Sequence, residues 1–319
     1  MSDAAGGAGN GGTALVLGAG GLVGAAWETG ILHGLAEAGV DLSDADLVVG
    51  SSAGAVVGAL LTSGTTSLAE LYERRLDGAD GEPAVRFGAG TLLRYTLAVL
   101  TSRTPEAYGR KLGRLALRAR TVDEATRRAT VARRLGELAD WPGGGRLRLT
   151  AVDAETGELG VFDGGGGGRG ETGPGTEDGG LGTGPGLGRG SGLGGVGLVD
   201  AVTASCAIPG AWPPASLVGR RWIDGGIHST ANAHLAAGWE RVVIVAPSAL
   251  GNRAVRSPAG QAADLAAAGA RVEVITPDAD AKAVIGARAL DPARQAAAAR
   301  AGRAQAAAHA KAVAAVWTG

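Results

Sequence analysis

Short apolar runs that end in glycine or proline alternate with longer helical segments along the chain. The first run, residues 13–17, is typical of a strand that is buried on both faces. A helical segment follows and ends near Gly39, and a second apolar run at 46–49 leads into another helix. This strand–helix–strand–helix order, with short turns, predicts a mainly parallel sheet within a three-layer α/β/α fold.

The middle of the chain has a helical pattern, with segments at 68–72, 92–100, 105–119 and 122–138. Pro105 is well suited to the first position of a helix. The paired arginines Arg127-Arg128 and Arg133-Arg134 are predicted to lie on a solvated helix surface, and a site for a partner or an anionic membrane is the alternative.

The second half of the chain returns to strand patterns. Residues 146–152 alternate apolar and polar side chains, and 159–162 complete a hairpin with them. More than half of residues 163–197 are glycine, which predicts a flexible surface insertion and not a domain boundary. The segments that follow are a helix at 198–205, strands at 221–223, 241–247 and 271–277, and an Ala-rich helix at 292–316 on the outside of the sheet.

Composition narrows the class of protein. With 319 residues the chain can form one large domain, which we expect to span 13–319 after a disordered leader at 1–12. The net charge of −1 gives no electrostatic case for nucleic acid. The single cysteine, Cys206, excludes an internal disulfide and is typical of a cytoplasmic protein. No signal peptide or membrane span is expected, and the oligomeric state stays open.

The turn after the second strand contains Gly50-x-Ser52-x-Gly54, the pattern of a nucleophile elbow. Such an elbow holds its serine in a strained conformation at the N-terminus of a helix, where developing negative charge is stabilised. Because the chain has 58 glycines, an ordinary strand–helix turn is the alternative.

A glycine loop, Gly18-Ala19-Gly20-Gly21, joins the first strand to its helix. Its closely spaced N–H groups could stabilise an oxyanion, because glycine lets a substrate oxygen approach the backbone. A nucleotide phosphate loop is the alternative. A dinucleotide site would also need an acidic residue at the end of the second strand, where this chain has Gly50-Ser51-Ser52.

The serine needs a base, and the histidines are poor candidates. His309 lies in an Ala-rich helix, and His228 follows Asp224 closely enough to have a structural role. Asp224 is better placed, since it ends a strand and precedes Gly225-Gly226. A partly desolvated carboxylate can act as a general base, although Asp-Gly-Gly could also be a plain turn.

Together these motifs resemble the patatin-like phospholipase family, in order and in spacing, over about residues 14–245. The resemblance implies an α/β/α serine acyl hydrolase of bacterial type that works through an acyl-enzyme without metal or cofactor. It implies a dyad of Ser52 and Asp224 without histidine, and an oxyanion hole at Gly18, Ala19, Gly20 and Gly21. The motifs that carry it are 15–24, Gly50-Ser51-Ser52-Ala53-Gly54, 204–210 with Pro213-Pro214, and Asp224-Gly225-Gly226.

The chain departs from the family pattern at Val23, where an arginine or lysine is usual, and at Ala19, where glycine is usual. The predicted oxyanion hole therefore relies on backbone N–H groups and the helix dipole, and head-group preference stays open. We predict hydrolysis of lipid acyl esters, with possible peripheral membrane contact and with Ile208 and Trp212 lining the acyl site or simply packing in the core. The alternatives are a catalytically weak lipid-binding or regulatory protein on the same fold, and a nucleotide-binding protein.

Overall fold

The computed structural model describes residues 10–78, 85, 87–136, 138–165, 193, 195–286 and 288–319. The strands within this part of the chain are β1 Asn10–Leu17, β2 Leu47–Ser51, β3 Leu147–Asp153, β4 Leu159–Asp163, β5 Ala215–Leu217, β6 Arg220–Asp224, β7 Trp239–Val245 and β8 Arg271–Ile275. The α-helices are α1 Gly21–Glu37, α2 Ala53–Ser63, α3 Leu68–Asp77, α4 Ala89–Thr101, α5 Pro105–Arg118, α6 Glu124–Leu135, α7 Leu198–Ser205, α8 Pro258–Ala267, α9 Ala279–Ile285 and α10 Gln295–Trp317.

The described strands form one sheet in the order β5-β6-β3-β2-β1-β7-β8, and β4 also pairs with β3. Strands β3, β2, β1, β7 and β8 pair in parallel, whereas β4, β5 and β6 are antiparallel to their neighbours. The sheet is therefore mainly parallel, as predicted.

Helices cover both faces of this sheet. Leu15 and Leu17 of β1 pack into a core that includes α1, α2 and α10, while Ala14 and Val16 pack into a second core with α8. This alternation is what a strand buried on both sides requires. The predicted three-layer α/β/α class is confirmed.

Two segments, the predicted leader and the predicted insertion, differ from the sequence prediction or lie partly outside the described part. Strand β1 begins at Asn10, so the last three residues of the predicted leader belong to the sheet, and 1–9 lie outside the described residues. Most of the predicted insertion, 166–192 and 194, also lies outside them, while Leu193 N–H donates to the Val161 carbonyl at 2.8 Å. The division into one domain and a leader stays a prediction.

The C-terminal helix α10 packs mainly on α1. A Cβ at Gly30 would lie 2.1 Å from the Ala299 carbonyl oxygen, and one at Gly302 would lie 2.3 Å from that of Trp27. Glycine on each helix thus allows the two backbones to approach closely. This contact holds the long helix against the layer that carries the glycine loop.

Candidate active site

Strand β3 brings Ser52 and Asp224 together. Its residue Thr150 pairs with Ser51 of β2, and the next residue, Ala151, pairs with Asp224 of β6. Since β4 occupies the other edge of β3 at both positions, β2 and β6 follow one another along a single edge. The end of β2, and hence the elbow, therefore meets the end of β6.

Ser52 has the strained backbone that an elbow requires. Its φ of 54° and ψ of −109° place a residue other than glycine in a region that L-residues rarely occupy. Two residues hold it there: Ser205 Oγ accepts a hydrogen bond from Ser52 N–H at 2.9 Å, and the Cys206 thiol donates to the Ser52 carbonyl at 3.2 Å. Helix α2 begins at Ala53, so its positive dipole end lies at the serine.

The two flanking glycines of the elbow are required by contact distances. A Cβ at Gly54 would lie 2.1 Å from the Leu17 carbonyl oxygen, and one at Gly50 would lie 2.6 Å from the Gly54 carbonyl oxygen. Both distances are far shorter than a van der Waals contact. The Gly-x-Ser-x-Gly pattern of the sequence is thus dictated by close backbone packing, of Gly54 against β1 and of Gly50 against its own turn.

Asp224 is buried beside this serine. Its Oδ1 accepts a hydrogen bond from Gly226 N–H at 2.7 Å, while its Oδ2 is buried and makes no hydrogen bond of standard geometry with the described residues. Burial raises the pKa of Asp224 to about 6, although the Ser52 hydroxyl, the Gly226 N–H and the charge of Arg127 lower it. The group that the sequence proposed as a base is therefore a desolvated carboxylate next to the Ser52 hydroxyl.

Close packing and hydrogen bonds from Asn232 hold the turn that follows Asp224. A Cβ at Gly225 would lie 2.2 Å from Thr150 Oγ1, and one at Gly226 would lie 2.5 Å from the Ala19 Cβ. The fully buried Asn232 amide donates to the Gly225 carbonyl at 3.1 Å and to Ser51 Oγ at 2.9 Å. Asn232 therefore joins the turn that carries Asp224 to the strand that leads to Ser52.

Asn232→Ala is expected to lower both stability and turnover. The change removes a buried amide whose Nδ2 also lies 3.1 Å from the Ser229 carbonyl, and it leaves acceptors buried without a donor. We expect a loss of about 2–3 kcal/mol in the free energy of unfolding. Urea denaturation measures it; Asn252→Ala, on a surface loop, is the control and should cost far less. Equal losses in the two variants would contradict the role given to Asn232.

Only part of the predicted glycine loop has free N–H groups. Gly18 N–H donates to the Val245 carbonyl at 2.9 Å, and Ala19 N–H donates to the Thr230 carbonyl at 2.7 Å. Within the described residues, no acceptor lies on the N–H groups of Gly20 and Gly21. Gly21 borders the same cavity as Ser52. The loop therefore offers two donors for an oxyanion, at Gly20 and Gly21.

A narrow cavity of about 20 Å³ reaches Ser52. Both residues predicted to line the acyl site, Ile208 and Trp212, lie on its wall. The other lining residues are Gly21, Leu22, Ala53, Val56, Arg127, Arg134, Cys206 and Leu290.

Two arginines on this wall differ from the prediction of a solvated helix surface. Arg127 is only 2% exposed, and its guanidinium lies 4.1 Å from the centre of the Trp212 ring. Arg134, two helical turns later, faces the same cavity. A signal was present in the sequence: Val131 and Leu135 share the face of α6 that carries these arginines, which marks it as the buried one.

The four histidines lie elsewhere. His228 Nδ1 lies 3.1 Å from Asn232 Oδ1, and burial lowers the pKa of His228. His309 lies 3.3 Å from a Glu273 carboxylate oxygen, His33 stacks on Tyr72, and the His234 ring neighbours that of His228. None of them lines the cavity at Ser52. In the part of the chain that the structure describes, no cluster of His, Cys, Asp or Glu side chains could hold a metal ion.

A family model described as "Patatin-like phospholipase" matches residues 15–237. The chain belongs to the patatin-like phospholipase family. The match covers the glycine loop, the elbow and Asp224, so the motifs used for the resemblance all lie inside it. No curated protein sequence matches this patatin-like chain.

Two solved structures are similar to this patatin-like protein. One is VipD from Legionella pneumophila, at 14% identity and a TM-score of 0.46, where the match covers 95% of this chain and 67% of VipD. The other is the type III effector protein ExoU, at 14% identity and a TM-score of 0.37. There the match covers 96% of this chain and 54% of ExoU, so this chain spans about half the length of that relative.

Proposed function

We propose that the protein hydrolyses acyl esters of lipids, with Ser52 as nucleophile and Asp224 as the base that activates it. The observation that carries the proposal is the placement of a strained, buried serine beside a desolvated carboxylate whose pKa is raised to about 6. A base with a pKa near the working pH is well matched to proton transfer. Membership of the patatin-like phospholipase family supports a lipid ester as the substrate.

In the first half of the reaction, Asp224 takes the proton of the Ser52 hydroxyl as Oγ attacks the ester carbonyl carbon. The resulting oxyanion accepts hydrogen bonds from the N–H groups of Gly20 and Gly21, which have no other described acceptor. As the tetrahedral intermediate collapses, the alcohol leaves with the proton from Asp224. Ser52 then carries the acyl group as an ester.

In the second half, Asp224 accepts a proton from a water molecule that attacks the acyl-enzyme. The intermediate collapses, the proton returns to Ser52 Oγ, and the fatty acid is released. The positive end of the α2 dipole supports both oxyanions, because α2 begins directly after Ser52.

Positive charge in the site comes from α6. Val23, which replaces the usual cation of the family's loop, is fully buried on α1, whereas Arg127 and Arg134 line the cavity. We propose that these two arginines attract the phosphate of a phospholipid head group, since guanidinium groups bind phosphate well. Ile208 and Trp212 are proposed to contact the acyl chain. The cavity holds about one water molecule, so an acyl chain requires it to widen.

The test is fatty-acid release from dihexanoylphosphatidylcholine, a short-chain phospholipid, followed across pH. Asp224 acts as a base only when it is deprotonated, so kcat/KM should rise tenfold per pH unit at low pH and level off above about 6. An ordinary aspartate, with a pKa of about 4, would place that limb two units lower.

Absence of fatty-acid release at every pH would contradict the proposed hydrolysis. It would favour the alternative of a lipid-binding or regulatory protein on the same fold. If kcat/KM instead levelled off near pH 4, hydrolysis would still stand, but the buried Asp224 would not be the base.

A further inference from the structure

Helix α4 exposes a continuous face of leucines. Leu92, Leu93, Leu97 and Leu100 are 53%, 59%, 49% and 61% exposed. At 100° per residue these four side chains, with Thr96 between them, fall within one arc of about 140°. Single exposed leucines are common on proteins, but four on one helix face form a patch that requires an explanation.

The opposite face of α4 contacts the loop that carries two residues of the cavity wall at Ser52. Tyr95 Oη donates to the Pro209 carbonyl at 2.9 Å, and a Cβ at Gly210 would lie 3.1 Å from the Thr91 side chain. Pro209 and Gly210 belong to the loop between Ile208 and Trp212, the two residues on the cavity wall. The exposed leucines therefore lie on the outer side of a helix whose inner side contacts the loop between Ile208 and Trp212.

Exposed basic residues lie on α4 and on the segment that follows it, including α5, which packs against α4. Residues 88–122 contain six arginines and one lysine but only one acidic residue, Glu106, in a chain of net charge −1. None of the six arginines makes an ion pair with an acidic side chain in the described part of the chain. The six are Arg94, Arg103, Arg110, Arg114, Arg118 and Arg120.

We propose that the leucine face of α4, together with the exposed arginines of α4 and α5, is the surface by which the protein docks on a bilayer that contains anionic lipids. Leucines that enter the acyl boundary and arginines that contact lipid phosphates are the pattern of a helix that lies in a membrane interface. A second copy of the chain is disfavoured as the occupant, because two surfaces of the same strong positive charge would repel each other.

Docking there would place the loop at 206–212 next to the lipid. This link to catalysis depends on the proposed function, whereas docking itself does not. The experiment therefore uses the Ser52→Ala protein, in which binding can be measured without hydrolysis. Failure to bind and failure to hydrolyse are then separate results.

The experiment is co-sedimentation with vesicles of phosphatidylcholine and phosphatidylglycerol in equal amounts. Leu93→Asp together with Leu97→Asp should weaken binding by about tenfold or more, because two charged groups would have to enter the apolar boundary. The matched control is Leu250→Asp, which changes a more exposed leucine, at 77%, outside α4 and should bind as the parent does. Arg114→Gln with Arg118→Gln should weaken binding as well, and vesicles of phosphatidylcholine alone should bind less.

Equal binding by the α4 variant and the Leu250 control would overturn the proposal, as would a parent protein that does not bind these vesicles. Gel filtration adds a further arm: a dimer that the α4 substitutions disperse would show that a second copy covers the face. Circular dichroism confirms that each variant is folded. Should the aspartate pair fail to fold, Leu93→Gln with Leu97→Gln decides the question by the same criteria.

Discussion

Ser52→Ala is expected to abolish covalent labelling by a fluorophosphonate and to lower the rate of fatty-acid release by about a thousandfold or more. In the proposed mechanism the Ser52 hydroxyl forms the acyl-enzyme, whereas the side chains of Ser205 and Cys206 bind only the N–H and the carbonyl of Ser52. Alanine therefore removes the nucleophile and leaves these contacts in place. Mass spectrometry of the labelled protein measures the first effect, and titration of released acid measures the second.

The matched control is Ser51→Ala, one residue earlier in the same elbow. The Ser51 hydroxyl contacts Thr150 Oγ1 at 2.7 Å and Asn232, and it lies away from the cavity lining, so this variant should still be labelled. His228→Ala and His309→Ala should keep most of the activity. Labelling that persists in Ser52→Ala would show that another residue is the nucleophile, and a loss of about a thousandfold in a histidine variant would favour a His-based triad.

Asp224→Asn should lose about as much activity and yet yield a more stable protein. The amide cannot accept the Ser52 proton, so the rise of kcat/KM with pH through about 6 should disappear with the activity. Stability follows the opposite course, because the pKa of Asp224 is higher in the folded state than the value of about 4 expected in the unfolded chain. Above pH 6 the folded protein therefore keeps a charge that burial disfavours, at a cost on the order of 3 kcal/mol.

Removal of that charge should raise Tm at pH 8 and have little effect on Tm at pH 4, where Asp224 is protonated in the folded state. Asp153→Asn is the matched control, since Asp153 is equally buried but accepts hydrogen bonds from two N–H groups and contacts Arg220. Asp153→Asn should be less stable than the parent protein and should keep the rise of kcat/KM with pH. A drop in Tm for Asp224→Asn at pH 8 would show that its carboxylate stabilises the fold.

The parts of the site that depend on local backbone geometry could be predicted from the sequence. Gly50 and Gly54 are fixed by contacts with their own turn and with β1, and Asp224 ends a strand just before two glycines, so each leaves a pattern of neighbours in the chain. The three-layer α/β/α fold could likewise be predicted, because strands and helices alternate along the chain. Such features need no knowledge of distant packing.

Other parts of the site could not be predicted from the sequence, because they depend on tertiary packing between distant segments of the chain. Arg127 faces the cavity only because α6 packs with Val131 and Leu135 inward, and a pair of adjacent arginines resembles any solvated helix surface. Asn232 lies 181 residues from Ser51, and nothing in its local sequence indicates that its amide joins the two strand ends. The partial use of the glycine loop also depends on distant carbonyl groups, those of Val245 and Thr230.

The shared edge of β3 makes the distance between the proposed nucleophile and the proposed base a property of the sheet. Ser51 and Asp224 pair with consecutive residues of β3, although Asp224 lies 172 positions after Ser52 in the chain. The chain between β4 and α7 can then change in length or composition over evolutionary time without altering the spacing of the pair. The helices that border the site, by contrast, can change in sequence and so alter access to it. Selection can therefore alter which lipid enters while the reacting atoms stay in register.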